Sequence, residues 1–270
     1  MAATRDILLL HGLAAEAAPR RRARLRGLTG AEEEGCIEAA EQGLPLRAAL
    51  SRLIAGCVEC LGEDPIAEED AEALSVGDRE ALALAIRAAS FEGPMRARLV
   101  CAGCGEALDL ALDPRELLAP APPAAPRLEL DGLRLACRPV TARDQAAVAD
   151  LAGEDAAGLA LLARCVAVEE DGDVATLPRA AQEAAAAHLL ALDPMAETLL
   201  SCACPACGAA VEGSLDAGAF LVEEIVRRGP ALAREVLLIA RATGWEEGAI
   251  LAMPRQRRLR YAALLGGEAS

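Results

Sequence analysis

Cys101-Ala-Gly-Cys104-Gly105-Glu-Ala-Leu-Asp-Leu-Ala-Leu-Asp113 lies over Cys204-Pro-Ala-Cys207-Gly208-Ala-Ala-Val-Glu-Gly-Ser-Leu-Asp216 without a gap. Cys, Cys, Gly, Ala, an aliphatic residue, an acid, Leu and Asp coincide, the signature of an internal duplication. Upstream, Arg26-Gly-Leu-Thr29-Gly-Ala-Glu32 matches Arg138-Pro-Val-Thr141-Ala-Arg-Asp144. Each reads as a short apolar strand ending at a Thr three residues before an acid, which marks a helix start. Leu53-Ile-Ala-Gly-Cys57-Val58 resembles Leu161-Leu-Ala-Arg-Cys165-Val166, and each precedes a second helical stretch, Val76 to Ala89 and Pro178 to Leu192. The offsets of 112, 108 and 103 residues are near enough to constant for a diverged tandem repeat.

Each copy predicts strand, capped helix, second helix, strand, knuckle, strand, an α+β unit of about ninety residues. The expected fold class is α+β: a duplicated unit closing a pseudo-twofold, zinc-ribbon-like four-Cys site, followed by a small all-α C-terminal module. Pro120-Ala-Pro-Pro-Ala-Ala-Pro126 has four Pro in seven residues and reads as a stiff connector. The expected divisions are an N-terminal arm over 1–21, a first unit over 22–118, a linker over 119–126, a second unit over 127–217 and a helical module over 218–270. Within that module Gly229-Pro230, Gly244 and Pro254 punctuate the helices.

C-x-x-C-G is a metal-knuckle pattern. Two intervening residues let both sulfurs face one ion, and the Gly permits a left-handed turn that brings backbone N–H groups to sulfur. One knuckle supplies two ligands, whereas a structural zinc takes four. The duplication supplies the rest, so Cys101, Cys104, Cys204 and Cys207 are the expected ligands of one Zn2+. Four thiolates leave no position for water, and the site is expected to hold structure rather than catalyse. Cys202 falls on a strand position whose counterpart is Leu99. Cys57-Val-Glu-Cys60 also has the C-x-x-C spacing but lacks the Gly and lies in a periodic apolar stretch, which favours core packing over a redox pair.

Of 270 residues 54% are apolar and 26% charged, with a net charge of −15, enough for a folded core. No apolar run reaches the roughly 18 residues of a membrane helix. The absence of Lys removes phosphate loops of the GK[ST] form, Schiff bases and the kinase lysine. Six Arg against Asp6 and Glu16 give residues 1–26 a charge of +4, and eight Arg against six Glu give residues 220–270 a charge of +2, leaving −21 on the middle. So acidic a body repels phosphate backbones, although the Arg20 to Arg26 cluster is the one feature a zinc-ribbon nucleic-acid adaptor would use. Ile7 to Leu10 is too short for a secretory signal, and a cytoplasmic, reducing location is expected, where paired Cys favour metal over disulfide.

Catalytic candidates are few. His11 lies near the terminus and His188 reads as a helix-face residue. The acidic runs Glu32 to Glu34, Glu68 to Asp70 and Glu169 to Asp171 fall at helix starts or loops, where they favour the helix dipole. No G-x-S-x-G, H-E-x-x-H or G-x-G-x-x-G occurs, and no enzymatic activity is expected.

Leu28-Thr-Gly-Ala-Glu-Glu-Glu34, Val76-Gly-Asp-Arg-Glu-Ala-Leu-Ala-Leu-Ala-Ile-Arg87 and both knuckles with their following strands resemble the T4-type baseplate hub assembly family of contractile phage tails and extracellular contractile injection systems. The tail, through Glu235-Val-Leu-Leu-Ile-Ala-Arg-Ala-Thr-Gly-Trp245 and Arg257-Arg258-x-x-Tyr261, is similar to a short helical module of tail assembly proteins. Gly77-Asp78-Arg79 departs from the repeat, having no counterpart in the second half. The resemblance implies a non-enzymatic role in assembling the hub and spike, as a chaperone or minor structural component, with hub or spike proteins as partners. An acidic body suits a basic patch on a hub protein. Val236, Leu237, Trp245, Ile250 and Tyr261 are the candidate partner anchors on the tail, and self-packing within the module is their competing role.

Overall fold

The first half begins with strands β1 (Arg5–Leu13) and β2 (Arg20–Leu25), which join β3 (Val58–Leu61) in an antiparallel sheet of order β1-β2-β3. Helices α1 (Gly30–Glu41), α2 (Leu46–Cys57), α3 (Glu68–Ala73) and α4 (Val76–Ser90) follow their order in the chain, and the half ends in the hairpin β4 (Met95–Val100) and β5 (Ala107–Leu112). In the second half β6 (Arg127–Leu130), β7 (Leu133–Cys137) and β8 (Val166–Val168) form a sheet of order β6-β7-β8. Helices α5 (Ala142–Val148), α6 (Glu154–Cys165) and α7 (Arg179–Leu192) lead to the hairpin β9 (Thr198–Ala203) and β10 (Ala210–Leu215). The chain closes with α8 (Ala217–Arg227), α9 (Gly229–Thr243), α10 (Glu247–Leu251) and α11 (Arg255–Gly267). This computed structural model describes residues 5–16, 18–118, 122–130, 132–169 and 172–267; part of the Pro-rich connector and of the Glu169 to Asp171 run lies outside them.

Two parts of the expected division change. Residues from Arg5 onward are not a separate arm: β1 pairs with β2 over Arg5↔Leu25 to Leu8↔Arg22 and buries Leu9 and Leu13 in the main core. The helix at 217–227 packs chiefly into the first half rather than the tail. Its Ala217, Leu221, Val222 and Ile225 enter the same core as Leu53, Ile54, Leu82 and Ile86, because an apolar stripe on α8 faces α4 and α2. Glu80 accepts hydrogen bonds from Ala217 N–H (2.5 Å) and Gly218 N–H (3.2 Å), capping the first turn of α8. Burial pushes this carboxyl up to about 7.

The two Thr signatures form capping nodes with matching bonds. Thr29 N–H and hydroxyl donate to Glu32, Arg26 donates to Glu32 and to Gly56 C=O, and Arg26 N–H donates to Cys57 C=O. Thr141 N–H and hydroxyl donate to Asp144, Arg138 donates to Asp144 and to Arg164 C=O, and Arg138 N–H donates to Cys165 C=O. Burial raises both acids, and the Arg and Thr donors more than reverse it, so Glu32 and Asp144 lie below their ordinary values. Such carboxylates lend stability that is complete above their unfolded values near pH 4 and is lost as pH falls through the lowered folded values. Asp144→Asn is therefore expected to lower the urea midpoint at pH 7 and to flatten its decline between pH 5 and pH 2; an unchanged pH slope would contradict the role given to Asp144.

The second half has its own smaller core of Leu135, Leu162, Cys165, Val166, Ala185, Leu189 and Leu192. Gly77-Asp78-Arg79, the triplet that departs from the expected repeat, divides its bonds: Gly77 reaches the second half, while Asp78 and Arg79 tie parts of the first. Gly77 N–H donates to Asp193 Oδ2 at 2.9 Å, across the two halves. Asp78 receives the N–H groups of Leu10 (2.7 Å), His11 (3.1 Å) and Gly12 (2.6 Å), pinning β1. Arg79 donates to Ala71 C=O, Arg47 C=O and Ser51. A methyl group at Gly77 would sit 2.1 Å from Asp193 Oδ1. Gly77→Ala is expected to cost about 1–3 kcal/mol by overpacking and to loosen the second half first, read as earlier hydrogen exchange at residues 189–196; unchanged exchange there would show that this contact does not join the halves.

Candidate metal centre

The hairpins β4-β5 and β9-β10 bring their knuckle ends together. In each knuckle the first Cys N–H is paired across the turn, Cys101 to Glu106 C=O (2.9 Å) and Cys204 to Ala209 C=O (2.8 Å). In each the Gly donates back to the first Cys, Gly105 to Cys101 C=O (2.8 Å) and Gly208 to Cys204 C=O (2.9 Å). Gly105 and Gly208 both have φ 77°, in the left-handed region where a side chain is strained. The sequence placed these two glycines for that reason, and their backbone agrees.

Cys101, Cys104, Cys204 and Cys207 offer sulfur atoms that all lie within 4.8 Å of one another. Cys101 Sγ is 3.6 Å from Cys207 Sγ, and Cys104 Sγ is 3.6 Å from Cys204 Sγ. A disulfide needs about 2.05 Å, and these four thiols are free. Four sulfurs at ~2.3 Å from one tetrahedral ion would stand ~3.8 Å apart, close to the observed spacing. Each knuckle contributes one buried sulfur, Cys101 or Cys204, and one exposed, Cys104 or Cys207. Beneath them Leu108 and Val211, with Leu99 and Cys202 at the flank, form a small apolar floor. Cys202 occupies the strand position opposite Val211 and stands outside the cluster of four.

Electrostatics also suit a cation. Backbone N–H groups of Cys104 and Gly103 pull Cys101 down to about 7. Glu106 N–H favours the Cys104 thiolate, yet the neighbouring sulfurs of Cys207 and Cys204 push it up to about 12. The four sulfurs cannot all ionise beside one another. A divalent ion relieves that conflict and takes up the thiolates. The donor set thus fits zinc, a soft-ligand tetrahedral site, by charge, spacing and chemistry.

The other candidates lie elsewhere. Cys57 is fully buried at the end of α2, where burial raises its thiol far above the ordinary value, and Cys60 sits in β3 opposite Arg24. A thiol held protonated in this way is a poor redox nucleophile. His188 Nε2 is 2.8 Å from Ala125 C=O and ties α7 to the connector. His11 Nε2 stands 3.6 Å from Asp193 Oδ1, and both atoms are buried without a hydrogen bond. Burial raises Asp193, with Gly77 N–H opposing. Within the Arg20 to Arg26 cluster, Arg20 pairs with Asp64, Arg21 with Leu9 C=O and Arg26 with Glu32, while Arg22 and Arg24 are exposed beside Asp6.

Of the five tail residues, Val236 and Ile250 cannot be surface anchors. They are buried with Leu232 and Ile239 in the tail's own core. Leu237 is 52% exposed and Trp245 39% exposed, with the Trp245 ring edge-on to Tyr261 at 5.4 Å. Arg255 and Arg258 lie on the inward side of α11, whose Arg257 and Arg260 are exposed. The inward two are buried and donate to Glu33, and Arg258 also donates to Glu235. Reading the sequence missed Glu33 as their acceptor, since it lies in an acidic run that suits a helix start equally well.

No helix among the described residues is long and apolar enough to cross a membrane. No curated protein and no solved structure matches the chain. The family model described as T4 bacteriophage base plate protein matches residues 15–217, a span that holds both knuckles, both capping nodes and the Gly77-Asp78-Arg79 triplet and stops where α8 begins. The chain belongs to this T4-like phage baseplate family.

Proposed function

We propose that the protein is a non-enzymatic part of a contractile-tail baseplate hub, an assembly chaperone or minor structural component, built from a duplicated α+β unit and held by one structural zinc. The observation that carries the metal is the set of four sulfurs from Cys101, Cys104, Cys204 and Cys207 within 4.8 Å of one another. With four protein thiolates bound, zinc would supply rigidity and no open position for a substrate. The paired knuckles, the paired capping nodes and the two sheets of like order support descent from one copied unit. On this reading the first unit takes in β1 and runs to 118, a connector over 119–126 follows, the second unit spans 127–217, and residues 218–270 are an appended helical module whose first helix is absorbed by the first unit.

The chain acts in the cytoplasm, where tails assemble, by docking on the hub or spike proteins. Its acidic body suits a basic partner surface. Leu237 and Trp245, with Tyr261 behind, are the anchors the tail offers, Trp245 and Tyr261 being of the aromatic kind that dominates contact energies. Co-expression with neighbouring hub and spike proteins followed by pull-down tests this role. Stable association, weakened by Leu237→Asp with Trp245→Ala, is the expected result. No association with any hub or spike component would contradict it. The acidic body and the pairing of Arg20, Arg21 and Arg26 within the fold favour this reading over a nucleic-acid adaptor.

A further inference from the structure

Each half carries a slot at the end of its capped strand, and something occupies both. In the second half, Thr141 bridges Ser75, and Val140 C=O accepts Val76 N–H at 2.9 Å. The start of α4 from the first half therefore fills the second half's slot. In the first half, Thr29 bridges Pro254, and Leu28 C=O accepts Arg255 N–H at 2.9 Å. That occupant is the start of α11 from the tail, and it uses the same bridge and the same hydrogen bond.

By the repeat offset of 103, the counterpart of Ser75-Val76 is Pro178-Arg179, the start of α7. Among the described residues no isolated β-bridge reaches it. Its bonds stay within the second half: Leu177 C=O accepts the Gln182 side-chain amide, Pro178 gives α7 no side-chain cap, and Arg179, 79% exposed, pairs with its neighbour Glu183. Leu177-Pro178-Arg179 and Met253-Pro254-Arg255 are alike in sequence, an aliphatic or Met residue followed by Pro-Arg at a helix start. Slot chemistry suits Arg: Glu33, only 3% exposed, receives Arg255 at 2.6 Å, whereas Gln145 stands at the corresponding place in the second half. Gly30 leaves room for the tail, since a Cβ there would lie 2.8 Å from Arg258 Nη1.

We propose that the first half's slot, lined by Leu28, Thr29, Gly30 and Glu33, is a docking site for the start of α7 of a second copy of this chain, and that the tail plugs it in cis. The contact is heterologous: a helix start on one copy enters a slot on the next, the relation that the two halves already have within the chain, so it builds rings or open rows. The plug is held imperfectly. Arg258 Nη1 is buried without an acceptor, a cost that displacement recovers. The inference uses the correspondence of the two halves and depends on neither the metal nor a hub partner.

Arg255→Ser combined with Arg258→Ser strips the plug of its anchors and leaves Glu33 in the slot. The expected result is a tail that trypsin removes near Arg227 and Arg228, together with a concentration-dependent step in sedimentation mass above the wild type. Adding Arg179→Asp, at an exposed site, is expected to abolish that step. Should the double variant fail to fold, a protease site inserted between Arg228 and Gly229 of the otherwise unaltered chain serves the same end: cleavage and dilution remove the tail and are expected to give the same Arg179-dependent association. A tail that stays docked without both Arg, a freed slot with no added association, or association that survives Arg179→Asp would each overturn the proposal.

Discussion

Cys101→Ser and Cys204→Ser are each expected to release the metal and to open the knuckle ends of the hairpins, with amide exchange over residues 99–108 and 202–211 rising at least about 100-fold, equivalent to ~3 kcal/mol. The reason is the size of what remains. Apart from the ion, these ends share a floor of Cys101, Leu108, Cys204 and Val211 with Leu99 and Cys202 beside it, too small to order two isolated hairpins in water. Structural zinc in small peptides is worth an apparent ~10–16 kcal/mol at pH 7, so on the proposed reading most of the local stability would ride on it. The inner ends behave differently. Met95, Leu200 and Leu215 are anchored in the main core, and their protection is expected to persist. Uniform loss along both hairpins would show that the metal holds more than the knuckles, and no loss would show that it holds nothing.

Asp78→Ala is expected to lower the unfolding free energy by about 3–5 kcal/mol, because a buried carboxylate leaves three backbone donors without an acceptor at once. Asp78 is 1% exposed, and the N–H groups of Leu10, His11 and Gly12 converge on it. Chemical denaturation supplies the free energy, and exchange at residues 10–12 supplies the place. Asp78→Asn keeps one acceptor oxygen and is expected to fall between the wild type and the alanine variant. Equal losses for both variants, or undisturbed exchange in β1, would contradict the bonding described for this residue.

The knuckles were legible in the sequence because their requirement is local: two thiols at fixed spacing and a Gly where φ is positive. The capping nodes were legible for the same reason, Thr and an acid three residues apart. Asp78 was not. A carboxylate that receives N–H groups 66 to 68 residues upstream leaves no periodic trace, and the triplet around it showed only as a departure from the repeat. The arm became β1 because a short apolar run gains a strand's stability only from the partner that pairs with it. On α9 the helical period separates the inward Val236 from the outward Leu237, yet both are aliphatic, and only packing tells which one meets the tail's core. Glu33 illustrates the same limit, since the middle one of three consecutive Glu at a helix start gives no sign that two arginines more than 220 residues away converge on it.

The most direct test of a shared, structural ion is the metal content of the purified chain beside that of Cys104→Ser and Cys207→Ser, one from each knuckle. Elemental analysis with native mass spectrometry is expected to give one zinc per wild-type chain and essentially none in either variant, because each loss leaves three thiolates and a weak oxygen. Full zinc in either variant, or a metal-free wild type with all four thiols open to alkylation, would contradict it.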